Sequence, residues 1–162
     1  MDPYVRQEIE DDTDRIEAIL ATDIFSPHNA RHPLMRSAFI EILICLRDLM
    51  AKTNNLNLRI DFTDDVLISP DVKDVTDLIK FVRDALCHID SKNHFVAPGI
   101  KATFNVAYGK TIMLTVDEFD IASDYDDDVC FFFGRHRIYL KRHIVRAFEE
   151  VKRKLLPFLK GI

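Results

Sequence analysis

Apolar residues recur at helical spacing over three stretches of the chain, then switch to a period of two before helical spacing returns near the end. From Tyr4 to about Ala21, Val5, Ile9, Ile16, Ile19 and Leu20 mark one side, and Glu8, Glu10, Asp11, Asp12 and Asp14 mark the water side. Asp2-Pro3 ahead of them supplies a cap and a residue already set for the first turn. After a break at 22–33, with two prolines, a second helix is predicted from about Leu34 to Thr53. Its apolar set of Met35, Ala38, Phe39, Ile42, Leu43, Cys45, Leu46, Leu49 and Met50 is wide enough for the central helix of a core. Residues 54–70 read as irregular, with a short extended piece at Leu56–Phe62, and Ser69-Pro70-Asp71 reads as the start of a third helix over about Val72–Asp90.

Beyond Pro98-Gly99 the alternation predicts strands. Thr103–Ala107 and Thr111–Val116 bracket Tyr108-Gly109-Lys110 as one hairpin; Val129–Phe133 and Arg137–Leu140 bracket Gly134-Arg135-His136 as a second. A last helix is expected over about Lys141–Lys160, with Ile144, Val145, Phe148, Val151, Leu155 and Leu156 on one side. At 162 residues, with no repeat and no linker, this reads as a single domain. No apolar run approaches the roughly 20 residues of a membrane span, and the acidic N-terminus lacks the basic start of an export signal, so a cytoplasmic location is expected. Cys45, Cys87 and Cys130 are far apart in apolar surroundings and read as reduced, buried thiols rather than zinc ligands.

Charge is uneven. Seven acids and no base lie between Asp117 and Asp128, whereas Gly134–Lys154 carries eight bases against Glu149 and Glu150. Arg135, Arg137, Lys141, Arg142 and Arg146 are therefore candidate RNA-binding residues, the alternative being an ordinary solvated face. The acidic run Asp124-Tyr125-Asp126-Asp127-Asp128 lacks the spacing, Gly and closing Glu of a calcium loop and reads as a solvated loop. His28 and His32 stand four apart, but the flanking Pro27 and Pro33 and the lack of a third ligand make that segment a loop; neither metal nor cofactor is expected. Phe131-Phe132-Phe133 calls for at least two of its rings to be buried or covered by a partner.

Candidate chemistry falls on the third helix. At 100° per residue, Val75, Leu78, Ile79, Val82, Ala85, Leu86 and Ile89 form one face, with Arg83 and His88 on its opposite shoulders and Asp84 and Cys87 outward between them. Asp84 and His88, four apart, are placed for the carboxylate to hold the imidazole. Arg83 and His88 diverge by about 140° on an ideal helix. They meet on one ligand only if Arg83 reaches around, the helix is distorted, or a second copy supplies the partner group. Cys87 and His88 point about 100° apart, which argues against a Cys–His nucleophile.

Arg83-Asp84-Ala85-Leu86-Cys87-His88 resembles the Arg-x4-His motif of the HEPN superfamily (higher eukaryotes and prokaryotes nucleotide-binding domain). The resemblance implies a mostly α, HEPN-like up-down helical bundle, with the two hairpins (about 100–140) inserted before the C-terminal helix. It implies a homodimer that cleaves RNA without metal, leaving a 2′,3′-cyclic phosphate. His88 would act as general base or acid, Arg83 would hold the scissile phosphate, and Asp84 would orient His88 or bind ribose. It further implies a toxin or defence role, with an antitoxin or nucleotidyltransferase as partner. The alternative function is a non-catalytic binding or regulatory module that works through protein–protein contacts.

Overall fold

The computed structural model describes residues 2–88, 90–116 and 119–159. Ile89, the acids Asp117 and Glu118, and Lys160 at the end of the expected last helix lie outside them. The first helix, α1 (Pro3–Leu20), begins as its sequence requires: the Asp2 carboxylate accepts from the Tyr4 amide at 2.8 Å. Helix α2 (Met35–Asn55) is the central one, with Phe39, Ile42, Leu43, Leu46 and Leu49 fully buried.

Helix α3 (Val75–Cys87) is shorter than its pattern suggests. Ser69 and Val72 exchange backbone hydrogen bonds in a tight turn instead of opening a helix. The working cap is Asp74, which accepts from the Asp77 amide at 3.0 Å. Arg59 grips the same carboxylate through Nε (2.8 Å) and Nη2 (2.9 Å) and reaches Asp77 as well, so the irregular 56–62 segment anchors the helix start and forms no strand.

Seven strands follow: β1 (Phe95–Ala97), β2 (Ile100–Lys101), β3 (Thr103–Tyr108), β4 (Thr111–Val116), β5 (Phe119–Ser123), β6 (Val129–Phe133) and β7 (His136–Tyr139). The second expected hairpin forms, with β6 and β7 antiparallel and Phe133 opposite His136. The first does not. β3 pairs with β6, and β4 pairs with β5, a strand the alternation did not disclose. The chain turns away after β3 because the Gly109 amide donates to the Asp128 carbonyl (3.0 Å) and the Lys110 amide to Asp126 Oδ1 (3.4 Å). Pairing β3 with β6 also sets Phe104 beside Phe131 and Phe133, where both pack on Phe39 of α2.

In the three-stranded sheet β3-β6-β7, strands β6 and β7 are buried on both faces. Phe131, Phe133 and Ile138 join the helical core, while Cys130, Phe132 and Tyr139 form a second core with Val96, Ala102, Ala107 and Ile121. All three Phe rings are thus covered within the chain. Leu140–Val145 then wind as a π-helix before α4 (Arg146–Leu159), which buries Ala147, Phe148, Val151 and Leu155.

This corrects the expected mostly α, HEPN-like up-down bundle with inserted hairpins. The fold is mixed α+β, and the strands supply part of the main core and all of the second except Ala102. Two further corrections come from burial. Cys87 is exposed, because α3 ends there, whereas Cys45 and Cys130 are buried. Asp128, placed in a solvated loop by its neighbours, is buried. No helix among the described residues is long and apolar enough to cross a membrane.

Candidate functional site

Helix α3 is amphipathic, and its buried face (Val75, Leu78, Ile79, Val82, Ala85, Leu86) leaves Arg83 and Asp84 on the flank. Both side chains are about a third exposed, and Arg83 Nη1 donates to Asp84 Oδ1 at 2.8 Å. Asp84 thus holds the guanidinium rather than the imidazole. His88 follows the last helical residue, with an extended backbone (φ −122°, ψ 104°), and its amide donates to the Asp84 carbonyl at 3.2 Å. Its exposed ring makes no hydrogen bond or ion pair with a described residue. The helix ends one residue too early to set the direction of His88, so the 140° divergence of an ideal helix does not apply.

Arg83 also lines a cleft of about 450 Å³ between α1, α2 and α3, together with Glu8, Asp11, Asp12, Arg15, Arg47 and Asp48. His88 is not among the lining residues. One copy therefore does not gather the two motif residues into one cleft. The Nε atoms of Arg47 and Arg83 are buried without an acceptor among the described residues, so each guanidinium keeps a donor in reserve. Four carboxylates face three guanidiniums, so the cleft is not uniformly positive. Burial raises the Asp12 carboxyl, and its neighbour Asp48 adds to the rise.

The basic stretch is largely engaged within the fold. Arg137 pairs with Asp124, Lys141 with Asp127, Arg142 with Asp127 and Asp128, and Arg146 with Asp64 and Glu150. Arg135 Nε donates to the Val96 carbonyl at 2.7 Å. The acidic and basic runs thus complement one another, and a polyanion would have to compete with these carboxylates. His28 lies in a short 3₁₀ turn and His32 just beyond it, both exposed. The described residues hold no cluster of three or more His, Cys, Asp or Glu side chains able to hold a metal.

Sequence reading passed over three buried histidines, because each needs a tertiary partner to be noticed. His94 Nε2 lies 2.6 Å from the Ala85 carbonyl. His143 accepts from the Tyr139 amide at Nδ1 (3.0 Å) and reaches the Asp64 carbonyl through Nε2 (3.0 Å). His136 Nε2 stands 3.4 Å from Ser69 Oγ, with Nδ1 buried and unpartnered among the described residues. Without a carboxylate on Nδ1 that pair lacks the orienting member of a nucleophilic triad.

Burial holds His136 and His143 below the usual 6.5; Asp71 partly opposes this at His136, and the bond to Asp64 does so at His143. The unfolded chain takes up protons that the folded one refuses. Stability is therefore fully present above about pH 6.5 and is lost as pH falls. The thermal midpoint is expected to drop between pH 7 and 5, and His136→Phe should flatten that slope; an unchanged slope would refute the assignment. Burial also pushes the thiols of Cys45 and Cys130 up to about 12. A thiol reagent at pH 8 should label Cys87 alone in the folded protein and all three cysteines in denaturant, as mass spectrometry would show.

Comparison with family models, curated proteins and solved structures finds no match to this chain.

Proposed function

We propose that the protein is a metal-independent endoribonuclease that uses Arg83 and His88 as the Arg-x4-His motif of the HEPN superfamily implies, with the site completed by a second copy. The observation that carries this reading is the end of α3: the helix stops at Cys87, leaving the His88 imidazole exposed, while Arg83 sits one turn back at a cleft with donors to spare. In that chemistry His88 takes the 2′-hydroxyl proton and the 2′-oxygen bonds to phosphorus. The P–O5′ bond breaks, the 5′-oxygen takes a proton from the imidazolium or from water, and the product end is a 2′,3′-cyclic phosphate. Arg83 neutralises charge on the phosphorane, and Asp84 holds the guanidinium in place. DNA lacks the nucleophile and stays intact. A cytoplasmic toxin or defence role, with an antitoxin or nucleotidyltransferase as partner, belongs to the same proposal.

The test is labelled single-stranded RNA in EDTA. Arg83→Ala and His88→Ala should each lower cleavage by roughly 100-fold or more. Mixing the two inactive variants should restore roughly a quarter of wild-type activity, since half the dimers are mixed and each of those holds one intact site. Cleavage that survives both substitutions, or that needs a divalent metal, would sink the proposal. The second reading, a non-catalytic regulatory module, is favoured by the ion pairs that occupy Arg83 and the basic stretch. It predicts no RNA turnover and a silent His88→Ala.

A further inference from the structure

Strand β4 is exposed along nearly its whole length. Five consecutive residues, Thr111 to Thr115, are exposed on both faces, among them Ile112 (63%), Met113 (39%) and Leu114 (42%). One edge of β4 pairs with β5; the other has no hydrogen-bonding partner among the described residues. Natural edge strands are blunted by lysine, proline or brevity, whereas β4 is six residues long and carries neither charge nor proline. Its one irregularity is a bulge between Ile112 and Leu114. An apolar, uncharged free edge is a template for strand addition.

We propose that this edge pairs with β4 of a second copy, antiparallel about a two-fold axis at Met113, joining two β4–β5 hairpins into one four-stranded sheet. The segment Thr111-Ile112-Met113-Leu114-Thr115 reads nearly the same in both directions. Self-pairing about Met113 sets Thr111 against Thr115, Ile112 against Leu114 and Met113 against itself, so each residue meets one of its own kind. The bulge then falls on the axis in both copies. Charge agrees: Lys110 precedes β4, and Asp120 stands on β5 opposite Thr115 near the far end of β4, so antiparallel pairing brings the basic end of each copy towards the acidic end of the other. A two-fold interface requires this kind of self-complementarity, and a foreign strand would not. The paired segment is short, so the association is concentration-dependent. It does not involve Arg83 or His88 and stands or falls apart from the nuclease reading.

Sedimentation of the full chain across roughly 1–300 µM, the range where small interfaces associate, reads the outcome directly. Wild type should roughly double in mass across that range, starting from 18.8 kDa per copy or from whatever assembly forms through another surface, and Leu114→Lys should keep its starting mass with an unchanged circular dichroism spectrum. The register is tested in a Cys87→Ser background. Antiparallel partners have Cα atoms about 4.5–5.5 Å apart, within disulfide reach. Met113→Cys should therefore cross-link to itself on mild oxidation, whereas Ile112→Cys should do so only when mixed with Leu114→Cys. A wild-type mass that does not rise across the range, a rise indifferent to Leu114→Lys, or equal self-cross-linking at 112 and 113 would each overturn the proposal.

Discussion

Replacing Asp128 with alanine should destabilise the fold by about 3–5 kcal/mol, the range for breaking a buried, hydrogen-bonded charge pair. The side chain has no exposed surface, and one carboxylate accepts four bonds: from the amides of Val129 (2.8 Å), Lys141 (2.9 Å) and Arg142 (3.1 Å), and from Arg142 Nη1 (3.0 Å). Two of those amides belong to the first turn of the π-helix that leads into α4, where unpaired N–H groups and the helix dipole favour an anion. Asp128 therefore ties the start of β6 to the start of the closing helix. Alanine leaves the three amides without that acceptor, while Arg142 keeps Asp127 and the face of the Tyr125 ring. For a chain of this size the thermal midpoint should fall by roughly 6–20 °C. Asp128→Asn, which keeps an acceptor oxygen but not the charge, should lie between alanine and wild type. A loss under about 1 kcal/mol for alanine in urea unfolding would show that the carboxylate is replaceable.

Gly134→Ala should cost about 2–5 kcal/mol, combining a left-handed backbone with overpacking. Its φ is +55°, and a Cβ built there would stand 2.4 Å from the Asn93 carbonyl oxygen and 3.0 Å from that of Phe95. Both are backbone atoms that no rotamer change can clear, so β1 and the turn before it must move. The Gly134 amide also donates to the Ala102 carbonyl (2.9 Å), which holds the β6–β7 turn against β2 and β3. Gly99 provides the control: its φ is +79°, but no heavy atom lies within 4 Å of its Cβ position. Gly99→Ala therefore carries the conformational cost alone, about 1–2 kcal/mol. Equal losses at the two sites in urea unfolding would contradict the close approach at Gly134.

The motif residues were visible in the sequence because an Arg, an Asp and a His interrupt an otherwise regular apolar pattern. Their relationship was not. That Asp84 would take Arg83 and leave His88 alone depends on where α3 stops. The stop lies in a segment whose helical pattern runs past it, so spacing alone favoured the other pairing. The basic run from Arg135 was equally legible as a run and equally silent about its partners. The partners of Arg137, Lys141 and Arg142 (Asp124, Asp127 and Asp128) lie in the acidic run just before it and come within reach only when β6 and β7 fold back as a hairpin.

The chain's own pattern determined the local elements: α1 from its Asp-Pro cap, α2 from its wide apolar stripe, β3, β4 and β6 from alternation, and the β6–β7 hairpin from the turn that begins at Gly134. These are short-range matters, settled by backbone preference and by which side of an element shuns water. Only the tertiary structure decided which strands pair, that β6 and β7 are buried on both faces as part of the core, and that Asp128 is interior. Strand pairing is a choice among several nearly equivalent edges, and the burial of Phe104, Phe131 and Phe133 against Phe39, far apart in sequence, settles it.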